Sequence, residues 1–395
     1  MKQEVFSEND LHKISKLTKF TLLLIAMTTM MSNVAIITAL PHLQESFSHV
    51  DNIELLSRLM ITLPSLSIAF LAPLLGHVIH KVGKYHSAIV ALFLFGVFGS
   101  AGAYLESIDM ILLSRLLFGV TIAVLMIVST SLVGDYFKGE ARGKFMGMQS
   151  AFVSLGGIVF VLGGGILSDI NWRYSFGIYL IGFILIPFVI KFLCVKTEIS
   201  DDEVEVDFNS SLIGIYLLAF LLMIVFYILP TQMPFLIVSH FGASSTVAGG
   251  IIALAFLSNG IGALSFSKLK KSFSFETIYI IGMLIIGIGF ILIGLVRDVN
   301  LFFLTAPILG FGGGVLMTNI SVWMLSKAHH SKRVKSSGYL TSSLFLGQFF
   351  SPILFHPFVS YFGIQDFFIV SGIFLAIVVG VVTMLRYNVA FKLRQ

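Results

Sequence analysis

The sequence contains one cysteine, Cys194, so no intrachain disulfide can form, and no group of Cys and His residues has metal-ligand spacing. Structural zinc and dithiol redox chemistry drop out. Charge is scarce: 11% of the 395 residues are Asp, Glu, Lys or Arg, against about a quarter in a soluble domain, which excludes a water-soluble globule. No Ser/His/Asp arrangement, paired carboxylates or nucleotide-binding motif supports an enzyme, and no cofactor is expected. Apolar residues, in contrast, make up 57% of the chain, with 39 Phe and 36 Gly, and the mean hydropathy is +0.98. A transmembrane barrel would need far more polar lumen-facing residues, so the composition predicts a polytopic helical membrane protein. The net charge of +5 is read from its distribution along the chain; no nucleic-acid partner is expected.

A helical span needs roughly 20 mostly apolar residues, and the chain divides into twelve. They begin near Phe20, Leu56, Ser87, Met110, Phe145, Ser175, Ser211, Ser245, Thr277, Leu301, Gly338 and Phe367. The first apolar run, from about Phe20 to Pro41, is longer than a signal-peptide core and lacks a convincing cleavage site, so it reads as a retained span. With the amino terminus inside, 21 of the 25 Lys and Arg residues fall in cytoplasmic segments; Arg58, Arg173 and Arg297 lie outside, and Arg115 lies within a span. One missed helix would flip every later loop, so this bias supports the count and predicts both termini in the cytoplasm.

The two halves repeat. SRLLFGVTIAVLM at Ser114 to Met126 aligns with TAPILGFGGGVLM at Thr305 to Met317, and moving from position 126 to position 317 is an offset of 191. The same offset carries Arg142, Lys144 and Gly147 onto Arg333, Lys335 and Gly338. Residues 1–194 and 211–395 are therefore expected to be six-helix bundles, joined by an acidic cytoplasmic linker at 195–210, an organisation found in secondary transporters. Spans three, six, nine and twelve contain no amide, His or charge in their cores, which predicts a peripheral position. Span two has Ser and Thr but no amide, and its placement stays open.

Several segments resemble the major facilitator superfamily, and the likeness covers nearly the whole chain. Gly76-His77-Val78-Ile79-His80-Lys81-Val82-Gly83-Lys84 resembles the family's loop signature G-x-x-x-D-R-x-G-R. Arg115-Leu116-Leu117-Phe118-Gly119 is similar to the R-x-x-x-G of its fourth helix, and Trp172-Arg173 to the W-R before its sixth. Ala39-Leu40-Pro41 and Pro230-Thr231-Gln232-Met233-Pro234 resemble the twelve-span bacterial efflux permeases. The resemblance implies a cytoplasmic gate built on Gly76, His80, Lys81, Gly83, Lys84 and Arg142. His80 stands where the family has an acid, so His80 and Lys81 could instead pair with Glu140. The antiporter signature of the fifth helix survives as Gly156 and Phe160 to Gly165 without its Gly-Pro pair, while Gly347 to Pro352 carries a related element in span eleven.

Buried polar groups are the candidates for the work. Arg115 costs about 2.5 to 3.5 kcal/mol if it sits at the membrane centre; it is either a fixed cation in the pathway or a residue that snorkels to the headgroups. Asn33, with Thr29 and Ser32 at helical spacing, either faces a cavity or bonds another helix, and Gln149, Asn259 and Gln348 divide in the same way. Asn319 and Trp323, one turn apart, are expected to form a cavity wall, with Tyr227 and Gln232 comparable candidates on span seven. No acid falls in a span core, so proton coupling is sought at Asp135, whose alternative role is to pair with Lys138 or Arg142, and at the titratable side chain of His356. Gly310, Gly312, Gly313 and Gly314 lack the Lys-Ser/Thr of a phosphate loop and are expected to serve close helix packing.

The expected protein is thus a monomeric twelve-span transporter of a bacterial inner or plasma membrane, exporting small organic molecules in exchange for protons. Carriage of a defined metabolite such as a siderophore, organic anion or sugar, with Arg115 as anion anchor, is the alternative. A non-transporting membrane sensor with the same fold is the rival from another class.

Overall fold

A computed structural model of the chain describes residues 15–137, 139–193, 212–329 and 333–392. The expected acidic linker at 195–210, Lys138 and Cys194 lie outside the described residues. The first helices are α1 (Lys16–Val34), α2 (Leu40–Ser46), α3 (Ile53–Val82), α4 (Lys84–Ser100), α5 (Ile108–Tyr136), α6 (Gly139–Ile170) and α7 (Ile181–Phe192). The others are α8 (Ile213–Phe226), α9 (Ile228–Phe235), α10 (Ser245–Ser272), α11 (Phe275–Leu295), α12 (Phe302–Lys327), α13 (Arg333–Phe362) and α14 (Ile364–Lys392). Among the described residues, ten helical segments are long and apolar enough to cross a bilayer. The first span, α1 with α2, and the eleventh, α13, complete the twelve, each starting within two turns of the position read from the sequence. The chain is an all-α integral membrane protein.

Local sequence sets the helix ends. The hydroxyl of Ser244 accepts from the Val247 amide and that of Ser274 from the Thr277 amide, satisfying donors that the first turns of α10 and α11 leave open. Gly83 separates α3 from α4 at φ +89°, a left-handed conformation in which a side chain would be strained.

The chain divides into two compact units, Met1–Phe208 and Asn209–Gln395. Within the first, α3 packs on α5, α1 on α6, and α4 on both α5 and α7. Within the second, α10 packs on α12, α8 on α13, and α11 on both α12 and α14. These are the same pairings shifted by the offset seen in the sequence. The amide-free third and sixth spans adjoin one another, as do the ninth and twelfth.

Apolar surface gives helices little reason to associate in lipid, so close approach has to come from small residues. A Cβ on Gly119 would stand 2.4 Å from the Pro64 carbonyl oxygen of α3. Its repeat partner Gly310 meets the Ala255 carbonyl of α10 at 2.1 Å, and Gly314 meets the Asn259 carbonyl at 1.8 Å. Gly312 and Gly313 face Ile286 and Phe226 on two further helices, so the glycine run lets three neighbours press on α12 at once.

Gly314→Ala should destabilise the purified protein by about 1 to 3 kcal/mol, the usual cost of forcing extra volume into a packed contact. Gly338→Ala, where no atom lies within 4 Å of the added carbon, should leave thermal unfolding in detergent unchanged or slightly raised.

Candidate functional site

The first helix of each unit is interrupted. α1 ends at Val34, a 3-10 turn follows at Ile37–Ala39, and α2 resumes at Leu40 with Pro41 in its first turn. α8 ends at Phe226, and the seventh span continues as α9 and then as a π-helical turn at Leu236–His240. Pro230 has no amide hydrogen to give the Phe226 carbonyl, which accounts for the second break. The two breaks fall at equivalent positions of the repeat. Asn33 lies half-buried beside the first, and Tyr227 and the fully buried Gln232 lie at and just after the second. Gly164 of α6 sits against the first break: a Cβ there would stand 2.0 Å from the Ala35 carbonyl. Of the surviving glycines of the antiporter-like segment, Gly164 brings backbone to backbone at this point, whereas Gly156 meets the Met27 side chain and Gly163 has no neighbour within 4 Å of an added Cβ.

The two arginines that the resemblance singled out do other work. Arg115 is fully buried, and its Nη2 donates to the carbonyls of Phe98 (2.6 Å) and Gly99 in the last turn of α4. Its guanidinium lies 4.7, 5.1 and 5.2 Å from the ring centres of Phe118, Phe176 and Tyr179. In this structure the guanidinium is thus held by carbonyls and rings within the first unit. Carbonyls left open by the end of a helix, together with aromatic faces, pull this cation inward as a cap on α4. Arg173 plays a neighbouring part, its Nη1 donating to Gly102 O at 3.1 Å and Leu105 O at 2.7 Å, with the Trp172 ring 4.5 Å from its guanidinium.

Asn319 and Trp323, expected as a cavity wall, both contact Phe275 at the start of α11. Asn319 is fully buried and its Nδ2 donates to Phe275 O at 3.0 Å, and the Trp323 ring stacks on Phe275 at 5.8 Å and 4°. Lys270 Nζ lies over the other aromatic partner, 4.2 Å from the Phe275 ring centre. Gln149 donates to Ser129 Oγ at 2.8 Å, joining α6 to α5. Gln348 is buried on α13 and Asn259 is half-buried on α10, where its own backbone carbonyl receives Gly314. His356 is half-buried in α13.

At the α3–α4 turn, Lys84 Nζ grips both carboxylate oxygens of Asp135 at 2.9 and 2.7 Å, tying the start of α4 to the end of α5. The sequence offered Asp135 the partners Lys138 or Arg142; the partner found is the final residue of the loop signature. Glu140 pairs with Lys144 at 2.9 Å, one helical turn away, so the suggested pairing of His80 and Lys81 with Glu140 is not the one formed. His80 and Lys81 are exposed, as is Arg142, and Gly76 has no neighbour within 4 Å of an added Cβ.

Some polar anchors carried no sequence signal beyond residue type. Tyr279 Oη donates to Leu218 O at 2.9 Å, and Gln365 bridges Val296 O (2.6 Å) and His240 Nε2 (3.1 Å). Arg58, counted with the segments outside the membrane, lies within α3 and is 4% exposed.

Arg115→Ala should lower the stability of the purified protein by about 3 kcal/mol or more, since hydrogen bonds to charged groups contribute about 1.5 to 3 kcal/mol each. Arg115→Lys should not restore it, because a compact, strongly hydrated ammonium lacks the planar, weakly hydrated face that lies among the rings of Phe118, Phe176 and Tyr179. An unchanged unfolding temperature with loss of solute flux would return Arg115 to the pathway.

Comparison with known proteins agrees with this architecture. The profile of the Major Facilitator Superfamily matches residues 22–214 and again 215–393. A TsgA homolog of Buchnera aphidicola subsp. Baizongia pistaciae is 23% identical over 274 residues, covering 67% of this chain and 69% of that protein. Multidrug resistance protein 1 of Bacillus subtilis is 23% identical over 172 residues, 42% of this chain and 44% of that relative, so the match spans less than half of it. Among solved structures, the nucleoside transporter NupG superposes with a TM-score of 0.77 at 12% identity, covering 92% of this chain and 98% of that one. A bacterial homolog of the human lysosomal transporter Spinster gives 0.72 at 16% identity, with 95% and 96% covered. These structural likenesses establish the fold. Because two consecutive profile matches account for nearly the whole of both helical units, the chain belongs to the Major Facilitator Superfamily.

Proposed function

We propose that this membrane transporter exports small organic molecules, amphipathic compounds and drugs included, by alternating access in exchange for protons. In this reading it resides as a monomer in a bacterial inner or plasma membrane with both termini in the cytoplasm. The observation that carries the reading is the interruption of the first helix in each unit, with Asn33 beside one break and Tyr227 and Gln232 beside the other. Irregular backbone at membrane depth is tolerated where it is enclosed by protein or lines a wet cavity, and transporters place their sites at such broken helices. Asn33, Gln149, Tyr227, Gln232, Asn259 and Gln348 are proposed as the solute-contacting set. Efflux is supported by the multidrug name of the Bacillus subtilis relative. For coupling, His356 is favoured over Asp135, whose carboxylate is already held by Lys84.

The test is solute uptake and release in proteoliposomes at two imposed pH gradients, over a panel of amphipathic dyes, drugs and organic anions. At least one solute should move faster than in protein-free liposomes, and its rate should change with the gradient. Flux indifferent to pH would remove proton exchange. No flux of any solute would favour the sensor over the transporter. Reporter tags on the two ends should report the same side of the membrane; opposite sides would contradict the proposed orientation.

A further inference from the structure

Span two contains no amide, and its sequence leaves its role open. In the structure α3 packs on α5 through one face: Gly119 abuts Pro64, and Ser67 Oγ donates to Leu116 O at 2.6 Å. At 3.6 residues per turn, Arg58, Thr62 and Ser65 share the opposite side of the helix. That side is not open to lipid, since the three residues are 4%, 0% and 0% exposed, whereas the exposed positions of α3 include Phe70 and Leu74. A guanidinium within a span is costly and marks a wet or protein-lined surface. Arg58 Nη1 donates to the Glu54 carbonyl at 2.5 Å, which aligns the side chain along the helix. One turn further, the Thr62 hydroxyl is buried with no hydrogen-bond partner among the described residues, within the 5 to 6 Å Cβ spacing of an i, i+4 pair.

The repeat shows that packing does not demand these groups. Shifted by the same offset, Arg58, Thr62 and Ser65 become Gly249, Ala253 and Phe256 of α10, which keeps the equivalent contact with α12. The polar stripe therefore belongs to something the second unit lacks. Arg115 and Arg173 are each bonded to two carbonyls around the end of α4.

We infer that Arg58 and Thr62, with Ser65 beside them, recognise an anionic group, a carboxylate or similar oxyanion, on the transported molecule. The guanidinium supplies charge and planar donors, and the hydroxyl supplies one more donor. The inference rests on the transport reading above and narrows its substrates to amphipathic organic anions. It also moves the anion-binding role from Arg115, where the sequence placed it, to the opposite face of span two.

The experiment needs no knowledge of the natural solute. In a Cys194→Ser background, Thr62→Cys is labelled in phosphatidylcholine proteoliposomes with anionic sulfonatoethyl and cationic trimethylammonioethyl methanethiosulfonates. Arg58→Gln should lower the ratio of anionic to cationic labelling rates by about tenfold or more, since one charge near 6 Å acts in opposite senses on the two reagents and water sets the lower limit. Arg58→Lys, which keeps the charge, should leave it nearly unchanged, and 1-naphthoate should slow labelling only when Arg58 or Lys is present. An unreactive thiol, a ratio indifferent to Arg58→Gln, or protection by added phosphatidylglycerol but not by naphthoate would overturn the inference; the last would assign the site to lipid. Such a failure in protein that still moves solutes in the gradient assay would leave the export reading standing. Absence of flux with the labelling ratios as expected would remove export alone.

Discussion

Backbone hydrogen bonds have to be completed inside the chain wherever it crosses a bilayer, and that constraint governs nearly every feature of this protein. It makes the spans helical and leaves the carbonyls at each helix end in need of donors. Arg115 and Arg173 meet that need at the end of α4. It also explains why glycine matters so much. Helices whose own hydrogen bonds are satisfied gain chiefly by close packing, and Gly119, Gly310 and Gly314 allow carbonyl-to-Cα approach that a methyl group would block. The two interrupted helices stand out against this background as places where regular pairing was given up for geometry.

The units share a plan and differ in chemistry. Where the first unit ties its third and fourth spans with Lys84 and Asp135, the second has Phe275 and Ser326 at the equivalent positions, and Phe275 stacks on Trp323. Where the first caps α4 with Arg115, the second has the buried Ala306 beside the α11 helix. The second unit thus reaches comparable contacts with rings and small residues, and the charged groups are concentrated in the first. Arg58, lost as Gly249 in the repeat, follows the same division.

Much of the architecture was legible because hydropathy and the internal repeat report directly on the solvent each helix meets. Ser245 and Thr277 were placed at helix starts by apolar length alone, and the structure begins α10 at Ser245 and α11 at Phe275. The glycine run of α12 was readable as packing because nothing in it could bind phosphate. Side-chain direction was less legible. Arg115, Asn319 and Arg58 are all polar residues in apolar runs, and sequence spacing does not say whether the nearest partner is an open carbonyl, a neighbouring helix or water. Arg115 found carbonyls, and Asn319 found the backbone of Phe275. For Arg58 a signal was available: Thr62 and Ser65 continue its stripe, and the repeat erases all three.

The central claim is that the breaks in the first and seventh spans face water and solute in the working cycle. Its most direct test is labelling of Asn33→Cys and Gln232→Cys, in a Cys194→Ser background, with a membrane-impermeant maleimide applied to either side of reconstituted vesicles. The account predicts that both positions react, that the accessible side depends on conformational state, and that a transported solute protects them. Both thiols sealed from water from either side and in every state would contradict it.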